Sequence, residues 1–114
     1  MDNSRFKFRA WDKEYEKMTI TYTLDELLAN VHPLHKAVKE DYIWMQFTGR
    51  KDSEGKEIYE GDLIALTPDC VENYWEVEFA YGCWDLTHGN KILMLYNFPE
   101  SEIKIIGNIY EHRT

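Results

Sequence analysis

Residues 50–66 read RKDSEGKEIYEGDLIAL: eight charged side chains surround two glycines, and the chain then turns apolar from Leu63. The reading of this stretch decides the fold, because such a loop can be a cation site, a phosphate cradle or the entry to a β domain. A calcium loop of the EF-hand kind needs oxygen ligands at alternate positions, a glycine at a fixed place between them and a closing glutamate. Asp52, Glu54 and Gly55 miss that register. A phosphate loop needs glycines followed by a lysine and a hydroxyl residue at a helix start, whereas Gly55 and Gly61 lead into acids and a strand. Turn chemistry remains. Asp52 and Ser53 start turns readily, and Gly55 takes a positive φ without steric cost. The stretch is therefore expected to form a β-turn and then an acidic approach to a strand over Asp62–Thr67.

Downstream the pattern is dense β. In YWEVEFA (74–80), Trp75, Val77 and Phe79 alternate with Tyr74, Glu76 and Glu78, so the first set should be buried while Glu76 and Glu78 face water. Tyr81-Gly82 permits a reversal into CWDLT (83–87), HGN (88–90) another, and KILMLYNF (91–98) and IKIIGNIYE (103–111) supply two more strands. Five short strands with frequent turns suit a small, strongly bent barrel of the SH3-like type. Gly107 inside the last strand marks a bulge or bend that helps closure.

Upstream, RFKFRAW (5–11) alternates Phe6, Phe8 and Ala10 with Arg5, Lys7, Arg9 and Trp11, a strand with one basic face. A polar turn leads to MTITYTL (18–24), where Met18, Ile20, Tyr22 and Leu24 share a face, and the two strands should form a hairpin. Thr23 and Glu26 have capping-box spacing, so a short helix is expected over Leu24–Val31, with further helical turns after Pro33. YIWMQFTG (42–49) returns to strand, with Ile43, Met45 and Phe47 opposite Tyr42, Trp44 and Gln46. The expected fold is mainly β with a minor α part. One domain spans 1–114, made of an N-terminal hairpin and helix region (1–48) and a β-barrel region (49–114).

At 114 residues, 44% of them hydrophobic and 15% aromatic, the chain can bury one core without staples. There is no run of eighteen apolar residues and no apolar leader, so a cytoplasmic protein without a membrane partner is expected. The net charge of -8 is unevenly placed: residues 1–48 hold seven basic and eight acidic side chains, residues 49–114 six and thirteen. From Glu57 to Asn90 there is no Lys or Arg. Such a surface repels phosphate backbones, whose binding is driven by cationic neutralisation, so direct nucleic-acid binding is not expected. The bland alternative is that the acids keep a small β domain soluble.

No constellation of catalytic or metal-binding residues stands out. Cys70 and Cys83 are thirteen positions apart, too far for the paired thiols of a zinc site with His32 and His35, and a reducing compartment argues against a disulfide. The four histidines, at 32, 35, 88 and 112, form no HExxH or similar motif. Asp62 with Glu60 and a histidine could serve acid–base chemistry, but nothing in the spacing enforces it. No cofactor, metal or catalytic residue is expected. The candidate interaction surface combines the basic Arg5, Lys7 and Arg9, the acidic Glu76 and Glu78, and the aromatic anchors Trp44, Tyr81 and Trp84.

The stretches FRAWDKEYEKM (8–18), MQFTGRKDSEGKEIYEGDLI (45–64) and IIGNIYE (105–111), in that order, closely resemble the YopX-like proteins of phages and prophages in Gram-positive bacteria. The resemblance runs from Phe8 to Glu111 and is weakest over Asp25–Asp41. Trp11, Asp12, Gly49, Gly61, Asp62, Gly107 and Asn108 match the family's fingerprint. It implies a small phage-encoded accessory protein that self-assembles, and it brings no catalytic residue. The leading expectation is a noncatalytic protein-binding module, a homo-oligomer that engages a host or phage protein. An acidic decoy that occupies a nucleic-acid-binding protein and an enzyme of unidentified reaction stay open as alternatives.

Overall fold

The computed structural model describes residues 6–24, 26, 41–66 and 74–111. The chain divides into two compact units, Met1–Phe47 and Thr48–Thr114. Both are built from antiparallel strands.

In the first unit β1 (Lys7–Asp12) is the central strand. It pairs with β2 (Lys17–Met18) and β3 (Tyr22–Thr23) on one side, in the registers Trp11↔Met18 and Phe8↔Tyr22. On the other it meets β4 (Tyr42–Lys51), with Arg9 opposite Met45 and Trp11 opposite Ile43. The expected hairpin forms, but its return strand is broken. Thr19 donates its amide to the Ala10 carbonyl and accepts the Ala10 amide on its hydroxyl oxygen, at 2.8 and 2.9 Å. A side-chain oxygen thus takes the place of a ladder carbonyl, the strand departs there, and Ile20 is left exposed rather than aligned with Met18 and Tyr22. The capping box at the expected helix start is present: the Glu26 amide donates to Thr23 Oγ1, while Glu26 Oε1 accepts the Thr23 amide and hydroxyl. The rest of the expected helix, and the turns after Pro33, lie outside the described residues.

The second unit starts in the RKDSEGKEIYEGDLIAL stretch, which holds more structure than a turn and a strand entry. The Asp52 amide donates to the Lys56 carbonyl and Gly55 sits at φ 82°, closing a tight turn between β4 and β5 (Glu57–Tyr59), a strand the alternation did not signal. A second turn, with Gly61 at φ 87°, leads at once into β6 (Asp62–Ala65). Both φ values lie where a side chain would be strained. The five expected strands then appear as one sheet, with β7 (Trp75–Ala80), β8 (Cys83–His88), β9 (Lys91–Met94) and β10 (Lys104–Asn108) in the order β10-β6-β7-β8-β9. The register between β6 and β10 shifts between Ile105 and Gly107, the predicted bulge.

Two strands are shorter than their apolar runs. KILMLYNF leaves the sheet after Met94 and makes a 3₁₀ turn, Leu95–Asn97, that drives Leu95 into the core. The last strand ends at Asn108, whose Oδ1 caps a turn by accepting the Tyr110 and Glu111 amides. The core comprises Ile58, Ile64, Leu66, Val77, Leu86, Leu95 and Ile103, with Trp75, Trp84, Leu93, Phe98 and Ile105 packed against it. Phe79, expected inside with Trp75 and Val77, is 50% exposed. It lies on the core side of β7, but past the end of the core, near the hairpin tip. The result is a mainly β chain whose C-terminal sheet is a five-stranded antiparallel layer wrapped on one core.

Candidate interaction surface

The buried polar residues are the natural place to look for chemistry, and their local bonds are architectural. Asp12 Oδ1 accepts the Glu14 and Tyr15 amides. Asp52 Oδ1 accepts the Glu54 and Lys56 amides, and its Oδ2 accepts the Ile105 amide across to β10. Asp62 Oδ2 accepts the Tyr59 amide at 2.7 Å. Burial by itself would raise the Asp52 carboxyl, but the amides of Ile105, Lys56 and Glu54, then the Lys56 charge, outweigh it and hold it below the usual carboxylate range. A carboxylate held ionised by three amides anchors a turn; it is poorly suited to taking up a proton. Fingerprint residues Asp12, Asp62 and Asn108 thus each close a turn. Among the described residues no group of three or more His, Cys, Asp or Glu side chains could hold a metal. Cys70, His32, His35 and His112 lie outside the described residues.

The outward-facing chemistry lies on the β7–β8 hairpin. Tyr81 and Gly82 both have positive φ, as a two-residue hairpin turn of this hand requires, and Tyr81 is fully exposed at the tip. Phe79 pairs with Trp84 across the strands, their rings 4.8 Å apart. The opposite face carries Glu76 opposite Thr87 and Glu78 opposite Asp85, and continues onto β9 through Ile92 and Met94, both exposed. Burial, followed by repulsion from Glu78, pushes the Glu76 carboxyl up from its ordinary value, and the two carboxyls share a hydrogen bond.

Between the strand ends on this face lies a cleft of about 360 Å³ lined by Leu63, Tyr74, Glu76, Thr87, His88 and Ile109. His88 Nδ1 lies 2.8 Å from the Tyr74 carbonyl oxygen, which can only accept, so this nitrogen carries a proton. The His88 ring meets Tyr74 edge-on at 5.8 Å.

Of the other candidates, Trp44 is half-buried in the first unit between Tyr22 and Tyr42, at 6.2 and 6.1 Å. Lys7 and Arg9 do not stand free in water. They share the β1 face with Trp11 and, across the register, Met45; Arg9 Nε is buried, and Lys7 Nζ sits 5.4 Å over the Phe47 ring. Arg5 lies outside the described residues. Tyr81, Trp84, Glu76 and Glu78 therefore fall on one hairpin, whereas Lys7, Arg9 and Trp44 belong to the other unit. The cleft residues Tyr74, Thr87 and His88 were not singled out from sequence. The Tyr81-Gly82 turn fixes the register that puts Thr87 opposite Glu76, and that signal could have found Thr87.

A family model described as YopX protein matches residues 7–113. The chain belongs to the YopX family. Among solved structures, this family member resembles the crystal structure of protein EF1440 from Enterococcus faecalis, at 21% identity and a TM-score of 0.61 over 93% of this chain and 94% of that one. At this identity the likeness speaks for the fold alone. A comparison with curated proteins found no match. Among the described residues of this YopX-family chain, no helix is long and apolar enough to cross a membrane.

Proposed function

We propose that this YopX-family chain is a phage- or prophage-encoded accessory protein of the bacterial cytoplasm, a noncatalytic protein-binding module that self-associates through its C-terminal hairpin. Its five-stranded sheet is read as an SH3-like barrel, with the bulge at Gly107 bending the last strand toward closure. The observation that carries the binding reading is the hairpin end itself. Tyr81 is fully exposed and Phe79 half-exposed, outside a core that is complete without them. Aromatic side chains hold large contact area at low entropic cost and dominate binding energy when a partner buries them.

The basic strand offers less to association than its sequence suggests, because Lys7 and Arg9 are half-buried, Lys7 over the Phe47 ring. The test is light scattering behind size exclusion, at micromolar concentration in low and high salt. A mass of at least a dimer is expected, reduced in the double variant Phe79→Ser with Tyr81→Ser. Because apolar contacts carry the affinity, salt should weaken association only modestly. A monomer mass for the wild type in both conditions overturns self-association. A second reading, the acidic decoy, is favoured by the Glu78↔Asp85 pair, since like charges directly opposite across strands cost stability and a basic partner relieves them.

A further inference from the structure

The cleft on the outer face of the C-terminal sheet combines three features. First, its polar floor is acidic: Glu76 lies within it, and Glu78 follows on the same face of β7 with Asp85 opposite. Second, the carboxyl within it is partly desolvated and repelled by its neighbour, so the attraction of a cation placed beside it would offset both penalties. Third, the walls are neither acidic nor charged. Leu63 and Ile109 offer apolar surface to an aliphatic stem, Tyr74 and His88 offer ring surface, and the Thr87 hydroxyl offers an acceptor opposite Glu76. No Lys or Arg occurs between Glu57 and Asn90, so no basic side chain of the sheet's own central strands answers these acids.

We infer that this cleft receives an arginine side chain presented by a partner polypeptide. The three-methylene stem runs along Leu63 and Ile109, the planar head stacks on the face of one ring and meets the edge of the other, since the Tyr74 and His88 rings stand at 89°, and its forked donors meet the Glu76 carboxylate and the Thr87 hydroxyl. A lysine ammonium fits less well, because a point charge cannot stack in plane on a ring and engage paired acceptors at once. The cleft, about 360 Å³, has room for one side chain with water beside it and is too small for a helix about 10 Å across. The inference rests on the protein-binding reading, but it concerns a different face from the aromatic hairpin tip and does not require self-association.

The test uses the full chain, uniformly ¹⁵N-labelled, titrated with the blocked pentapeptide Gly-Gly-Arg-Gly-Gly and with its lysine and citrulline counterparts. Citrulline keeps the shape of arginine and removes the charge. Saturable shifts centred on the amides of Thr87, His88, Gly89 and Ile109 are expected, with the citrulline peptide weaker by about tenfold or more. Glu76→Gln should lose binding by a similar factor of about ten while the rest of the spectrum stays unchanged. The unchanged remainder of the spectrum separates a loss of binding from a loss of fold. Glu54→Gln, on the exposed Asp52 turn, is the control and should bind as wild type. Equal binding of the arginine and citrulline peptides overturns the inference. So do shifts that spread over the acidic surface without saturating, or tighter binding at the same amides by spermidine, which would make the occupant a free polyamine. A protein that is monomeric yet binds the arginine peptide at these amides loses the self-association reading and keeps this one.

Discussion

The two units solve the same problem with unequal means. In residues 48–114 seven apolar side chains, from Ile58 to Ile103, form one buried cluster beneath a five-stranded sheet. In residues 1–47 the buried apolar side chains among those described are Ala10, Trp11, Met45 and Phe47, and two of the strands are two residues long. Among its described residues the first unit shows local devices: a threonine hydroxyl standing in for a ladder carbonyl, a capping box, and half-buried rings of Tyr22, Tyr42 and Trp44. The second relies on apolar area. Stability resting on buried area is lost through one core substitution, whereas stability spread over surface bonds is lost a little at a time.

That contrast can be broken most forcefully at Val77, which has no exposed surface. Val77→Asp should cost more than about 4 kcal/mol, because it buries an unpaired charge in the cluster. Urea denaturation should show it largely unfolded, with amide dispersion lost for residues 48–111. If the amides of residues 6–24 lose dispersion in the same step, the two units unfold as one cooperative body and the contrast fails.

A smaller effect is expected at Asp52, whose removal by Asp52→Ala orphans the amides of Glu54, Lys56 and Ile105. The cost should be about 3 kcal/mol at pH 7. Its folded pKa is depressed, so the contribution is fully present above the unfolded value, about 3.9, and is lost as pH falls through the folded one. The difference between wild type and Asp52→Ala, measured as urea midpoints across pH, should therefore shrink below about pH 4. A constant difference would mean that the carboxylate charge contributes nothing.

In the first unit Glu26→Ala should cost only about 1 kcal/mol, the usual scale of a lost capping interaction. Amide exchange should quicken at Thr23 and Glu26 and stay unchanged at Val77 and Leu86. Quickening at all four would contradict the local character assigned to this unit. The smallest effect is at Glu76, and its sign is opposite. Its folded pKa is raised, so the ionised form costs stability above that pKa, and the cost vanishes below the unfolded value, about 4.3. Glu76→Gln should give a slight rise in Tm at pH 7 that disappears in mild acid. A fall in Tm at pH 7 would show that the carboxylate is stabilised by something other than its described neighbours.

The sequence by itself determined where the chain turns and where it runs straight. Gly55 and Gly82 mark reversals because glycine takes the required positive φ without strain, and period-two alternation marked β1, β4 and β7. Asp52 was legible as a turn former rather than a ligand, since neither a cation loop nor a phosphate loop fits the spacing, whereas Asp62 was legible only as the start of a strand. Alternation assigns residues to two faces, however, and does not say which face is covered, or how far along a strand. Only the tertiary structure decided that Phe79 lies past the end of the core, that Arg9 lies opposite Met45 and Lys7 over Phe47, and that Leu95 turns inward after β9. It alone brought Leu63, Glu76, Thr87 and Ile109 to one cleft, because cross-strand register joins residues up to 46 positions apart in the chain, and no local pattern encodes that distance.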